Sequence, residues 1–260
     1  MAEADGHTMG FSDAELTRDV FLGGRLAIWQ PRHGYRAATD PVLLAAAVAA
    51  RPGQAVLELG CGAGVALLAL GLRVPGLELT GLERQAGYAD LARRNAAANG
   101  LAADILTGHL AYMPQSLRGR AFDQVLCNPP FYPPHAPAAR DPGRAAALRE
   151  ETPLVAWVDA GLRRLKGGGW LTMIHLADRL PDILAALDGR AGAVAVRPLS
   201  ARAGRAAGRV LVQARKGART PFRLLPPLVM HAGEAHLVDG DDFTGAAQAI
   251  LRDGAGLGWE

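Results

Sequence analysis

The chain predicts a doubly wound, mostly parallel α/β sheet, and three observations carry that fold class. Apolar runs of strand length alternate with helical stretches from residue 55 onward, the pattern of successive βαβ units. A glycine-rich turn at 60–64 follows the first of those strands and opens the next helix. The chain has 260 residues and half of them are hydrophobic, which is enough to bury the core such a sheet requires.

The elements follow in order. After a polar leader, residues 20–31 read as a short strand pair around Gly23-Gly24. Asp40-Pro41 opens an Ala/Leu-rich helix to about Ala50, with Asp as N-cap and Pro at the first helical position. Pro52-Gly53 is a turn. Strands are expected at 55–59, 77–82, 104–107 and 122–127, with helices at 65–73 and 85–99 and Gly100 at the helix C′ position. Further on come a helix at 153–165, a turn at 166–169, a strand at 170–176 and a helix at 181–187. Residues 193–197 and 210–214 close the sheet as a strand pair. Residues 1–50 form an N-terminal extension expected to pack on the ligand site of 51–260, within one structural domain.

Composition narrows the function classes. There are 28 basic and 25 acidic residues, a net charge of +3, which excludes a polybasic protein of the histone kind. Lys166 and Lys216 are the only lysines, so nearly every cation is a planar, phosphate-capable arginine. Cys61 and Cys127 lie far apart without a CxxC spacing, which argues against a zinc cluster or a disulfide framework. His33, His135, His175, His231 and His236 are scattered, and no metal site or Ser/His/Asp constellation is expected. The first 19 residues hold no apolar signal region, and no apolar run approaches the ~18–20 residues of a membrane helix. A cytoplasmic protein without membrane attachment is the expectation.

Residues 56–64 read Val-Leu-Glu-Leu-Gly-Cys-Gly-Ala-Gly. Gly60, Gly62 and Gly64 let the backbone turn sharply and approach a ligand where a Cβ would collide. A dinucleotide fingerprint needs glycine at 65, where valine stands. Glu83 ends the next strand, where a carboxylate can accept two hydrogen bonds from the ribose hydroxyls of a nucleoside cofactor. Cys61 has no base near it in sequence and reads as a small packing residue.

The fourth strand ends in Cys127-Asn128-Pro129-Pro130-Phe131-Tyr132. Ligands of open α/β sheets sit beyond the carboxyl ends of the strands, so Asn128 leaves the sheet at the same edge as Gly60 and Glu83. The two prolines stiffen the turn and leave carbonyl oxygens free to accept. Phe131 or Tyr132 can offer a flat face to a planar substrate. Together the Asn128 side-chain oxygen and the Pro129 carbonyl can accept the two N–H bonds of an amine. That arrangement suits a planar nitrogen whose lone pair must be freed, and it stabilises the positive charge that develops there.

These residues carry a resemblance. The loop at 58–64 is similar to the E/D-x-G-x-G-x-G loop of class I methyltransferases that bind S-adenosylmethionine. Residues 128–131 are similar to the N-P-P-[FY] signature of methyltransferases acting on planar nitrogens. Together with segments 30–44 and 225–254, the chain resembles the bacterial tRNA adenine-N6 methyltransferases that modify adenine 37 of a valine tRNA, over about residues 18 to 254. The resemblance implies a seven-stranded Rossmann-like sheet with a final antiparallel strand, S-adenosylmethionine as cofactor and RNA, tRNA first, as partner. It places Thr39, Asp40, Glu58, Gly60, Gly62, Gly64, Glu83, Arg84 and Asn128 about the cofactor. It makes Asn128, Pro129, Pro130 and Phe131 the catalytic turn.

Two departures bear on the substrate. The family's usual Gly-Asp after the third strand is here Gly108-His109, so a ring nitrogen of His109 or the Leu110 backbone would take the cofactor's adenine amine. The turn reads Asn-Pro-Pro-Phe-Tyr where the tRNA enzymes more often show Asn-Pro-Pro-Tyr-Phe, and ribosomal RNA guanine-N2 enzymes often carry Phe next. The alternatives are therefore a guanine-N2 enzyme, a protein glutamine N5-methyltransferase, and a cofactor- or RNA-binding module without turnover.

For the nucleic acid, residues 190–219 carry eight cations and no carboxylate, leaving −5 for the rest of the chain. Within it Arg202, Arg205 and Arg209 are expected to drape a loop over phosphates. Arg140 and Arg144, in the proline-rich stretch after the catalytic turn, are a second RNA-binding candidate, as a lid over the substrate.

Overall fold

The structure is a computed structural model that describes residues 10–131, 152–233 and 242–260. Strands β1 (Leu16–Phe21) and β2 (Leu26–Pro31) form an antiparallel hairpin, longer than the sequence suggests because its paired residues begin at Leu16. The other strands are β3 (Ala55–Leu59), β4 (Glu78–Glu83), β5 (Ala103–Thr107), β6 (Phe122–Cys127), β7 (Leu165–Leu176), β8 (Ala191–Ser200) and β9 (Ala207–Lys216). They line up in the order β8-β9-β7-β6-β3-β4-β5, and only β9 runs antiparallel to its neighbours. The seven-stranded sheet with a final antiparallel strand is thus present. Two two-residue strands, β10 (Arg223–Leu224) and β11 (Leu228–Val229), add to the free edge of β8.

Helices α1 (Asp40–Ala47), α2 (Val65–Arg73) and α3 (Ala86–Ala98) cover one face of the sheet with the hairpin. Helices α4 (Gln115–Arg118), α5 (Leu154–Arg164) and α6 (Leu180–Leu187) cover the other, and α7 (Gly245–Leu251) joins the first group. Every residue of α1 from Pro41 to Ala47 is buried, as befits a helix apolar all round. Its last carbonyls find partners outside the helix: Ala45 O accepts from Arg73, Ala46 O from the Leu257 N–H at 2.8 Å, and Ala47 O from the Trp259 indole at 2.7 Å.

Two expected boundaries shift. Thr39, not Asp40, is the N-cap of α1, Pro41 is its second residue, and the helix stops at Ala47. Residues 166–169 are not a turn between helix and strand, because β7 begins directly after α5. Leu165 pairs with Phe122 and Trp170 with Gln124, so the glycines bulge out of the strand, with Gly168 at φ +76°.

The hairpin is fastened by side chains that imitate a neighbouring strand. Asn95 on α3 and Asn99, the C-cap one helical turn later, each accept and donate one backbone hydrogen bond with β2: Asn95 with Trp29 at 2.8 and 3.0 Å, Asn99 with Ala27 at 3.0 and 2.7 Å. Asn95 also donates to Ala63 O at 3.0 Å. The N-terminal segment is thereby tied to the glycine loop.

Candidate active site

The sheet changes direction between β3 and β6, since β4 and β5 extend it one way and β7 the other. A crevice opens at the carboxyl ends of strands at such a point. Backbone bonds lock those ends together: Gly60 N and Cys61 N both donate to Leu82 O, at 2.7 and 3.1 Å, and Gly108 N donates to Glu83 O at 2.8 Å. The cleft above is lined by Glu58, Gly60, Gly62, Glu83, Arg84, His109, Leu110 and Asn128, together with Pro129, Pro130 and Phe131. The structure brings these sequence-predicted residues into one place.

Gly60 shows why the loop needs glycine. Its φ is +70°, and a Cβ there would sit 2.7 Å from the Trp157 ring. Gly64 lies outside the lining and instead begins α2 as its N-cap, where it has no side chain to accept the first N–H groups. Glu58 does that work: its Oε2 accepts the Leu67 N–H at 2.9 Å. Complete burial pushes the Glu58 carboxyl well above the usual range, and the nearby Glu83 adds to the rise.

Glu83 Oε2 accepts from Gly62 N and its Oε1 from Gln85 N, both at 2.9 Å. Burial raises its pKa while these two bonds pull against the rise. Each oxygen keeps a lone pair for a hydroxyl donor. Burial also pushes the Cys61 thiol up, which suits packing and not nucleophilic attack.

At the end of β6, Asn128 Oδ1 is buried and has no hydrogen-bond partner among the described residues. Phe131 lies edge-on to the fully buried His175, centroids 5.4 Å apart, and the Arg209 guanidinium sits 4.7 Å from its centroid.

Several expected roles change. Thr39 and Asp40 are not among the residues that line the cleft, which on that side include Tyr35, Ala37 and Pro41, and Asp40 pairs with Arg209 at 3.1 Å. The His109 ring does line the cleft, but Nδ1 accepts the Ala111 N–H at 3.1 Å and Nε2 lies 3.1 Å from Thr152 Oγ1. Nδ1 is thus an acceptor, and Nε2 is engaged with Thr152. Both ring nitrogens therefore already have partners within the chain. Arg202 pairs with Asp242 and donates to the carbonyls of Ala232 and Gly233, which binds the β8–β9 loop to the C-terminal segment. Arg205 is exposed, Arg209 belongs to β9, and Arg140 and Arg144 lie outside the described residues.

Sequence reasoning missed Trp157, Tyr35, Tyr88 and Thr152. Trp157 Nε1 is buried without a partner, and Tyr88 donates its hydroxyl to Tyr35 O at 2.9 Å. Trp157 sits on α5, beyond the acceptor turn, so no motif spacing marks it. Among the described residues no group of three or more potential metal ligands assembles, and no helix is long and apolar enough to cross a membrane.

The methyltransferase small domain family model matches residues 38–146. The tRNA1(Val) (adenine(37)-N6)-methyltransferase of Porphyromonas gingivalis is 33% identical over 179 residues, covering 65% of this chain and 69% of that protein. Among solved structures, Atu636 of Agrobacterium tumefaciens, described as a predicted O-methyltransferase, is 26% identical with a TM-score of 0.68, over 84% of this chain and 98% of that one. The T. thermophilus 16S rRNA N2 G1207 methyltransferase, solved with AdoMet and guanosine, shares the fold at 20% identity and a TM-score of 0.54, over 77% of this chain and 50% of that one. The strand order, the glycine loop with Glu58 and Glu83, and these likenesses converge: the chain belongs to the methyltransferase small domain family and is an S-adenosylmethionine-dependent methyltransferase.

Proposed function

We propose that the protein methylates an exocyclic amino nitrogen in RNA, with adenine N6 in tRNA as the first choice. The observation that carries this reading is the buried, unpartnered Oδ1 of Asn128 at the head of the Pro129-Pro130-Phe131 turn. A buried acceptor without a donor costs stability, on the order of 1–3 kcal/mol, unless a ligand completes it. An amine can give one N–H to Oδ1 and the other to the Pro129 carbonyl, whereas an aliphatic hydroxyl has one hydrogen for the two acceptors. The tRNA adenine-N6 relative at 33% identity favours adenine in tRNA over guanine or a glutamine amide.

The residues fit the cofactor. Two buried carboxylates, Glu58 and Glu83, face a cleft that would hold a cationic nucleoside, and both carry pKa values raised by burial that such a cation would bring down. When bound, S-adenosylmethionine supplies an electrophilic methyl group. Glu83 would hold the ribose hydroxyls while Gly60 and Gly62 admit the nucleoside, and Arg84 and Leu110 would complete the wall. Asn128 and the Pro129 carbonyl would hold the amine hydrogens and orient the nitrogen, and Phe131 would set the height of the base. Arg140, Arg144 and the exposed Arg205 are the proposed phosphate contacts.

The test is methyl transfer by the purified chain to total tRNA, ribosomal RNA and protein release factor, followed by nucleoside and peptide mass analysis. N6-methyladenosine from tRNA is expected. Methylguanosine from ribosomal RNA, or methylglutamine from protein, would replace the substrate assignment.

A further inference from the structure

The Arg209 side chain makes two kinds of contact at once. Its Nε donates to Asp40 Oδ2 at 3.1 Å, and its guanidinium carbon lies 4.7 Å from the centroid of the Phe131 ring. Both members of the ion pair are half-buried, with side-chain exposures of 34% and 22%. The fully buried His175 ring packs against Phe131 as well, nearly perpendicular to it. In register, Arg209 stands opposite Leu176, next to His175, so the antiparallel last strand delivers it to the end of β7 on the side of the acceptor turn.

Three segments distant in sequence therefore meet at the Arg209 side chain: the start of α1, the Asn128–Phe131 turn and β9. Asp40 adjoins Pro41, which lines the cleft. A planar guanidinium can present its edge to a carboxylate and its face to an aromatic ring together, which an ammonium group cannot. Asp40 also neutralises the charge that a backbone phosphate would need. This differs from Arg205, which is exposed.

We propose that Arg209 is a positioning residue for methyl transfer: paired with Asp40, it holds the Phe131 ring and so keeps the Asn128–Phe131 turn in one geometry, and it is not a phosphate contact. The proposal rests on the reading of that turn as the amine-binding element.

The test is steady-state methylation of tRNA by the full chain carrying Arg209→Ala, Arg209→Lys, Asp40→Asn or Arg209→Ala with Asp40→Asn, with Asn128→Ala alongside. For Arg209→Ala, kcat should fall about tenfold while KM for tRNA, its salt dependence and the calorimetric affinity for S-adenosylmethionine stay within about twofold. Arg209→Lys should recover only part of the rate, Asp40→Asn should lower kcat in the same direction, and the double variant should be no worse than Arg209→Ala, because the two residues act as a unit. A raised KM with kcat kept and a salt slope lower by about one would make Arg209 a phosphate contact and overturn the proposal. Wild-type kinetics in Arg209→Ala would overturn it too. Should Arg209→Ala fail to bind cofactor because it misfolds, the same division between kcat and KM in Arg209→Lys decides. Undiminished turnover in Asn128→Ala would sink the amine-binding reading and this proposal with it, whereas a crippled Asn128→Ala beside an intact Arg209→Ala would sink the positioning role alone.

Discussion

Glu83 Oε2 holds the backbone N–H of Gly62 at 2.9 Å, so the carboxylate at the end of β4 fixes the loop leaving β3. The second oxygen holds Gln85 N at the same distance, at the start of α3. One side chain thereby shapes the glycine loop and, in our reading, offers the ribose contact as well. Structural and binding roles are superposed on it, and variants can separate them.

Glu83→Ala should weaken binding of both S-adenosylmethionine and its demethylated product, with about 1.5–3 kcal/mol at stake for each charge-assisted contact. It should also lower the melting temperature, because Gly62 N and Gln85 N lose their acceptor. Glu83→Gln keeps one acceptor oxygen and should retain more of both properties. Isothermal calorimetry and thermal denaturation check this; unchanged affinity in both variants removes Glu83 from the binding site.

Cofactor affinity should rise with pH. Burial lifts Glu83 above its ordinary 4.5 and lifts Glu58 well above it, so the ligand-free protein holds protons that the unfolded chain has released. In that window, above 4.5, the native state binds more protons, and the contribution of these groups to stability falls as pH rises. A cationic ligand and hydroxyl donors favour the ionised carboxylates, so binding releases protons and tightens as pH increases through the same window. Calorimetry in two buffers of different ionisation enthalpy reads the proton release directly. A proton count of zero with a flat affinity profile would show that both carboxylates are already ionised.

Asn128→Ala separates chemistry from binding. The glycine loop and Glu83 remain, so S-adenosylmethionine should bind within a few-fold of wild type. Turnover should fall by roughly 10²–10³, the loss expected for one preorganised polar contact in the transition state. Asn128→Asp keeps an acceptor and should be milder. Single-turnover methylation at saturating cofactor is the measurement, and near-normal rates in Asn128→Ala would exclude amine transfer at this turn.

Gly60→Ala should destabilise the fold by about 1–3 kcal/mol, since it combines a positive φ with a Cβ 2.7 Å from the Trp157 ring. Trp157→Phe removes the crowding atoms and also deletes the unpartnered indole N–H. In a double-mutant cycle by denaturant unfolding the two changes should couple favourably, the pair being more stable than additivity predicts. Strict additivity would mean that strain at φ, and not the ring, sets the cost at Gly60.

The central strands and their site residues were legible because the signals there are local. Four apolar runs matched β3 to β6 within a residue or two, and Gly60, Glu83 and Asn128 each stand at or just beyond a strand end. In a parallel sheet the strand ends all face one way, so identifying the strands already gathers these residues. The peripheral elements were harder to read. β10 and β11 are two residues each, and their only signal is an edge of β8 that needs hydrogen-bond partners. Residues 166–169 looked like a turn because glycines usually mark one; pairing of Leu165 with Phe122 makes them a bulge.

By itself the sequence determined the sheet and the places of the glycine loop and the Asn128–Phe131 turn at one edge of it, because each rests on contacts between residues close in the chain or on strand periodicity. Tertiary structure alone decided which polar groups were still available. The Ala111 N–H occupies His109 Nδ1 and Thr152 stands at Nε2, and Asp242 engages Arg202. Arg209 meets Asp40 across 169 residues of chain and lies over Phe131. Composition tells which side chains can hydrogen-bond or carry charge. Whether a given donor or acceptor is already satisfied depends on which distant segment the fold sets against it, and so on packing that no local pattern encodes.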